Sequence, residues 1–319
     1  MVLAFLIVSL LWIGPGRWAR SVADTPLIFF AAIMLTEPLT TPPTRKLRII
    51  YGVLIGFLIA PQMHIGKIYS TPEIALIIGN IFSYWVSPKY KLILTLKEKI
   101  KLTSDIYDFI FNPDKQINFT PGQYMEWTLE HTGPDDRGDR RYLSLASSPT
   151  EREIRIGVKV GTPSSSFKKK LINLGIGQKI VAGQLIGDFT LPKDPNKKLV
   201  LIAGGIGITP YRSMIQYLVD TNQKRDIIVL YSAKSAYEFV YADILEAAKQ
   251  QLGIKTIYVD TETQGHFDSA RLAKEIPDFK DRTFYISGSH AVVDAFDQIL
   301  KSLHVSSRQI VTDYFPGFA

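Results

Sequence analysis

The sequence predicts an α/β plus all-β architecture: an antiparallel β-barrel, then a parallel-sheet α/β domain, both behind an apolar helical opening. Three observations predict it. Residues 92–195 break into short alternating strands separated by turn signals. Residues 196–319 alternate strand with helix. Residues 1–87 hold most of the long aliphatic runs and few charges. The boundaries that follow are a transmembrane helical region at 1–88, a barrel domain at 89–195 and a nucleotide-type domain at 196–319.

The opening offers four stretches for a bilayer, near 1–16, 24–41, 47–65 and 72–88. Their apolar cores run about 13–16 residues, while a spanning helix needs about 20, so each relies on mildly polar flanks. Arg45, Lys46, Arg48 and the lysines after residue 88 put both termini in the cytoplasm by positive-inside counting. The expectation is an integral plasma-membrane protein with membrane lipids among its partners and its remaining domains in the cytoplasm. Glu37-Pro38, inside "IMLTEPLTTPPT", interrupts the pattern as a surface loop or as the wall of a cavity. The run "KYKLILTLKEKIK" (89–101) carries five lysines and reads either as a solvated strand or as a cationic collar facing anionic lipid.

Composition removes several chemistries. The net charge of +7 is modest, and no aromatic-basic patch suggests nucleic acid. The absence of cysteine excludes disulfides, thiolate metal sites and cysteine-ligated iron–sulfur clusters within these residues. The five histidines are scattered and only His64 lies in the apolar region, so paired haem ligands are missing there and no metal site is expected.

In the barrel region the candidate strands are "KLILTLKEKIKLT", "IYDFIFNP", "QYMEWTLE", "YLSLASSP", "EIRIGVKV" and "QKIVAGQLI", with turns at Pro121-Gly122 and Asp136–Asp139. Beyond it come "KLVLIAGG", a helix from about 210 to 220, "DIIVLYSA", a helix near 241–251, "IKTIYVD", a helix near 268–275, "RTFYISGS", a helix near 291–302 and "RQIVTDYF". That rhythm is a parallel sheet with crossover helices.

Three motifs sit at strand ends. Gly204, Gly205 and Gly207 leave a bare backbone that a ligand can approach, and the helix after them begins with amides suited to phosphate. Pro210 fits that helix's first turn. "FYISGSHAVVDAF" (284–296) is a second strand, glycine and helix. In "RRYLSLASSP" (140–149), Arg141 can meet phosphate bidentately and Ser144 offers a hydroxyl at a strand end.

In this order the motifs resemble the ferredoxin–NADP reductase superfamily over residues 95–319. The resemblance implies an FAD-binding barrel and an NAD(P)H-binding sheet. It implies that Arg141 holds flavin phosphate and that Ser144, the one candidate catalytic residue, lies near the ring and tunes it. Leu143 stands where the family has its ring-packing tyrosine; Tyr142 is one place off and in a strand should face the other way. "GVKVGTPSSSFKKKL", which includes Val158 and Lys159, resembles the segment that wraps the FAD pyrophosphate. Ser165, Ser166 and Phe167 would act there, although Ser165 could equally be a plain helix N-cap. Gly204 through Ile208 and Thr209, with Pro210, would face NAD(P)H. Ser287-Gly288-Ser289 stands where the family often has Cys-Gly-Pro. Lys234 follows the second strand and bears on NADPH against NADH. Phe318, with Phe315 and Tyr314 as rivals, is the candidate terminal aromatic on the flavin.

A second resemblance covers about 70 residues of the opening. "FFAAIMLTEPLTTPPTRKLRIIYGVLIGFLI" and "EIALIIGNIFSYWVSP" look like the last helices of two related families of membrane proteins, those in Rnf electron-transport complexes and those in sodium-pumping NADH:quinone reductases. Two functions follow as expectations. One is a membrane-anchored FAD-dependent NAD(P)H oxidoreductase, in which stacked rings exchange a hydride without a protein nucleophile. Its acceptor would be a redox protein, a quinone or a membrane flavoprotein. The alternative is a component of an Rnf-like ion-translocating assembly whose membrane region does the work.

Overall fold

The computed structural model describes residues 6–7, 41–60, 63–65, 68–87 and 91–315. The chain forms two compact units, Met1–Lys89 and Tyr90–Ala319.

In the first unit, helix α1 (Arg45–Leu58) and helix α2 (Pro72–Val86) flank a short antiparallel pair, β1 (His64–Ile65) and β2 (Ile68–Tyr69). Thr44 and Thr71 cap the helices by accepting from Leu47 N and Ile74 N. The helices meet where Gly79 leaves room for Ile55 and Tyr51, and the Tyr51 hydroxyl donates to Asn80 Oδ1 at 3.3 Å.

This unit corrects the membrane expectation. The helices have 14 and 15 residues. At 1.5 Å per residue they reach about 21 and 22 Å, short of a hydrocarbon core about 30 Å thick. Among the described residues no helix is long and apolar enough to cross a membrane. The cause is legible in the chain: Pro61 and Pro88 follow the two helices, and a residue before proline is driven out of the helical region. The spans expected at 47–65 and 72–88, the integral-membrane placement with its cytoplasmic orientation, and the ion-translocating alternative built on them are set aside. The stretches at 1–16 and 24–41 lie outside the described residues except for residues 6, 7 and 41, as does the Glu37-Pro38 break.

The second unit opens with six antiparallel strands: β3 (Lys91–Lys101), β4 (Ile106–Pro113), β5 (Tyr124–Thr128), β6 (Arg140–Ser144), β7 (Ile154–Lys159) and β8 (Lys179–Ile186). Their order is β6-β5-β8-β3-β4-β7. Period-two alternation buries Leu92, Leu94 and Leu96 and turns Lys91, Lys97, Lys99 and Lys101 outward, so the lysine run is a solvated strand and not a collar. Trp127, Phe109 and Phe111 fill the interior, with the Phe111 and Trp127 rings 5.4 Å apart. Helix α3 (Ser166–Ile172) closes the barrel with Phe167 and Leu171.

The remainder is a parallel sheet of β9 (Leu199–Gly204), β10 (Ile227–Ala233), β11 (Lys255–Asp260), β12 (Thr283–Ser289) and β13 (Ile310–Phe315). Its helices are α4 (Thr209–Asp220), α5 (Ala242–Leu252), α6 (Thr261–Gln264), α7 (Ser269–Glu275) and α8 (His290–Ser302). The order β11-β10-β9-β12-β13 sends successive strands in opposite directions from β9. A crevice therefore opens at the carboxyl end of β9, beside Gly204.

The two lobes are bolted together beside this crevice. Arg212, on α4 and 3 % exposed, donates to Ala146 O at 2.8 Å and grips Glu151 through both terminal nitrogens, at 2.5 and 2.9 Å. Ser213 Oγ donates to Ser147 O at 2.6 Å, and Tyr285 OH donates to Thr190 O at 3.0 Å. Glu151 also faces Arg155, which pairs with the fully buried Asp108 at 2.5 Å. Acids and bases alternate along this seam, although Asp108 Oδ1, Arg155 Nε and Arg212 Nε are buried there without a hydrogen-bond partner.

Candidate active site

A cleft of about 600 Å³ lies between the lobes, within the range of small-molecule sites. Tyr124, the end of β6 and Gly157–Lys159 of β7 supply one wall. Ile206, Thr209, Thr312, Asp313 and Tyr314 supply the other. At Gly157 the lobes touch: a Cβ there would come within 2.7 Å of Tyr241 OH and 3.1 Å of Thr209 Oγ1.

Of the residues singled out in the sequence, Arg141, Tyr142, Leu143, Ser144, Val158, Lys159, Phe167 and Thr209 share this cleft. Tyr142 does not turn away as strand alternation suggests. Strand β6 is an edge, so the cleft reaches residues on both of its faces, and the Tyr142 ring stands edge-on to Tyr124 at 5.8 Å. Lys159 bridges the lobes to Glu238 at 2.9 Å.

Arg141 is engaged already. Its Nη2 binds both Asp135 oxygens, at 2.7 and 2.8 Å, and its Nη1 donates to the carbonyls of Arg137, Gly138 and Arg140. Its Nε is buried without a partner. Desolvation opposes ionisation of Asp135, but Arg141 and the N–H groups of Arg137 and Ser166 outweigh it and hold the carboxyl down at about 2. Arg137, Arg140 and Lys168 join Arg141 along the cleft. Burial lowers the Lys168 ammonium, and repulsion from Arg137 and Arg141 lowers it further. Asp135 pairs with Arg141, and Glu126 lies 3.4 Å from Arg140.

The glycines divide by role. Gly205 has φ +53° and open space around it, so a ligand can approach its backbone. A Cβ on Gly207 would instead collide with Ser287 O, and one on Gly204 would come within 2.6 Å of Val292 Cγ1. At these two positions the missing Cβ lets the protein pack on itself, a second reason for glycine beside the ligand approach expected of all three. Gly205–Ile208 forms a 3₁₀ turn before α4, with Pro210 in that helix's first turn and Ile208 buried beneath.

Other singled-out residues lie elsewhere. Ser165 is the N-cap of α3, accepting from Lys168 N at 3.3 Å, and Ser166 Oγ accepts from Asp135 N at 2.9 Å. Both face a neighbouring hollow of about 930 Å³ and not the cleft. Ser287 is fully buried and its Oγ has no hydrogen-bond partner. Gly288 is buried beside it, and Ser289 is exposed at the start of α8. Lys234 stands just past the carboxyl end of β10, paired with Glu262. Phe318 and the Phe315 side chain lie outside the described residues, while Tyr314 lines the cleft and packs on His290 at 5.1 Å.

Sequence reasoning missed Asp135, Arg137, Arg140, Lys168 and Asp313. The charge-dense turn "DDRGDRR" (135–141), three acids and three arginines, carried the signal for the first three. Asp313, on β13, is raised by burial to about 6.

The fold is two-lobed, an antiparallel barrel against a parallel sheet with a cleft between them, and known proteins share it. The family described as oxidoreductase NAD-binding domain matches residues 201–297. A flavohemoprotein of Oceanobacillus iheyensis is 27% identical over 237 residues, 68% of this chain and 57% of that protein. The FAD/NAD-binding domain of nitric oxide dioxygenase from Vibrio cholerae superposes with a TM-score of 0.61 at 24% identity, covering 70% of this chain and 98% of that one. Ferredoxin–NADP+ reductase of Plasmodium falciparum, in complex with 2′P-AMP, superposes with a TM-score of 0.58 at 20% identity, covering 70% and 96%. The chain spans just over half the length of the curated relatives it matches. Fold and relatives together support the ferredoxin–NADP reductase-like superfamily of FAD- and NAD-binding oxidoreductases for this part of the chain.

Proposed function

We propose that residues 90–319 form an NAD(P)H-dependent FAD reductase that passes electrons to a separate redox protein. The observation that carries this reading is the cleft's pairing of a cation cluster with an aromatic and apolar wall spanning both lobes. The residues fit FAD: Arg137, Arg140, Arg141 and Lys168 suit its pyrophosphate, and Arg141 Nε is a buried donor still without a partner. Tyr142, Leu143 and Ser144 would border the ring system. Gly205, bare and in the left-handed region, would lie under the nicotinamide nucleotide at the carboxyl end of β9.

FAD held there would supply a hydride acceptor for the nicotinamide and an electron donor for the acceptor. The protein's part is positioning. Gly157 and Thr209 keep β7 and α4 in contact, so both binding surfaces are fixed relative to each other. Ser144 places a hydroxyl on the cleft, and the Asp313 carboxyl holds a proton up to about pH 6 on the opposite wall. Leu143, Ile206 and Phe167 exclude water.

The test is the absorption spectrum of the purified chain, then rapid mixing with NADH and NADPH under nitrogen. A flavin spectrum that bleaches with either nucleotide supports the reading; a colourless protein that takes up no added FAD refutes it.

A further inference from the structure

Tyr241, the residue before α5, is held in the left-handed region at φ +59° and ψ +29°. An aromatic residue is rarely found there, and such a conformation persists only where its surroundings over-determine it. The side chain is buried, and the Arg212 guanidinium stands 5.8 Å from the ring. Its hydroxyl lies 2.7 Å from where a Cβ on Gly157 would be. Gly157 on β7 pairs with Asp108 on β4. Directly opposed residues of an antiparallel pair put their side chains on the same face, with Cβ atoms about 5 Å apart. The Tyr241 hydroxyl is thus within reach of the Asp108 carboxyl. Arg155 takes Asp108 Oδ2, whereas Oδ1 and the Tyr241 hydroxyl are both buried without a hydrogen-bond partner. Burial pushes the phenol well above its usual range, and the Asp108 carboxylate pushes it further, so it keeps a proton to donate.

The meeting point is a wall of the cleft. Thr209 Oγ1 and Ile206 Cδ1 come within 3.1 and 3.2 Å of the same absent Cβ. Gly157, Val158 and Lys159 line the cleft from the barrel lobe, and Ile206 and Thr209 line it from the sheet lobe. Three sheet-lobe side chains therefore converge on one barrel glycine. We propose that Tyr241 is a positioning residue for hydride transfer: its hydroxyl bonds Asp108 Oδ1 and fixes the spacing of the two cleft walls at Gly157. Hydrogen bonds from a hydroxyl to a carboxylate are short. A hydride moves only between rings at near contact, so a shift of about 1 Å costs on the order of 100-fold in rate. In the reductase reading, on which this inference rests, phosphate is met elsewhere, at Arg141 and near Gly205, so binding does not depend on this bond.

The test is Tyr241→Phe in the full chain, which keeps the ring beside Arg212 and removes only the hydroxyl. The flavin-loaded protein is mixed rapidly with NADH or NADPH. The limiting rate of flavin bleaching should fall at least fivefold. The nucleotide concentration for half-maximal rate, the flavin content and the melting temperature should change little. Asp108→Asn added to Tyr241→Phe should slow the reaction less than twofold beyond the slower single variant, because both changes cut one bond. A second arm needs no turnover: hydrogen exchange of the flavin-free chain, followed by mass spectrometry. Tyr241→Phe should exchange severalfold faster at residues 154–159 and 205–210 and at an unchanged rate at 91–101. A limiting rate equal to that of the unaltered chain, a drop matched by loss of flavin or of melting temperature, single-variant effects that multiply, or unchanged exchange would overturn the inference. Faster exchange at those segments in a chain that neither nucleotide reduces would uphold the bond and its hold on the walls while sinking the proposed activity. Full-rate reduction of Tyr241→Phe with unchanged exchange would do the reverse.

Discussion

The two lobes arrange charge by opposite means. The barrel lobe gathers long cations, Arg137, Arg140, Arg141 and Lys168, and stiffens one of them on Asp135. The sheet lobe uses bare backbone at Gly205 and, past β10, sets Lys234 against Glu262. Both contain a cation paired with an acid, yet the pairs differ in kind. Arg141 and Asp135 are joined by two hydrogen bonds on side chains 10 % and 30 % exposed; Lys234 and Glu262 make one contact at 74 % and 54 %. The first pair is a scaffold beside three more cations. The second is a loose, screened neutralisation. An ion pair therefore says little by itself; the charge surrounding it decides what a ligand meets.

The comparison can be broken in graded steps. The largest effect should come from Arg141→Ala, which strips the scaffold from Asp135 and three carbonyls: flavin per chain, read from the absorption spectrum, should fall at least tenfold. Full flavin retention would show that the barrel lobe does not depend on this scaffold. Gly207→Ala comes next, because the new Cβ meets the Ser287 carbonyl and backbone must move; a loss of about 2–4 kcal/mol is expected in urea unfolding. Gly205→Ala has space around it and should cost only about 1 kcal/mol from its positive φ while weakening nucleotide binding. Equal costs at the two glycines would erase the division between packing and ligand roles. Lys168→Met should change two quantities in opposite directions. It removes a repelled, desolvated cation, so the flavin-free protein should melt slightly higher while flavin binds several-fold more weakly.

A pH-dependent effect concerns Asp313. Its carboxyl titrates near 6 when folded and near its usual 3.8 when unfolded. Between those values the folded state keeps a proton that the unfolded chain has released, so stability falls as pH rises through this window. Asp313→Asn should match the unaltered protein near pH 4 and exceed it at pH 7–8 by on the order of 1–2 kcal/mol. Parallel curves for the two proteins across that range would show that burial does not raise this carboxyl.

Much of the second unit was legible because its periods are clean. Alternation in "KLILTLKEKIK" gave a half-buried strand, and each of the five apolar runs from Leu199 onward ends in a turn or helix signal. The motifs at Arg141–Ser144 and Gly204–Thr209 pointed to both walls of one cleft. The cation cluster was legible only in part: Arg137 and Arg140 sit close to Arg141 in the sequence, but Lys168 comes from a short helix and only tertiary packing brings it to them. Nor could glycine composition say which glycine faces a ligand and which faces Ser287. The apolar opening misled for a simpler reason: hydropathy counts side chains, whereas helix length near Pro61 and Pro88 is a matter of backbone.

The Arg212–Glu151 seam has a consequence for how the molecule comes apart. A chain severed near Pro195 would leave Arg212 without its carboxylate in one fragment and Glu151 without its guanidinium in the other, and would expose Phe189 and Tyr211 together. The fragments should not hold native structure separately, and the intact unit should melt in one cooperative transition. Tyr142 and Tyr314, both exposed, line the cleft from opposite lobes that this seam ties together.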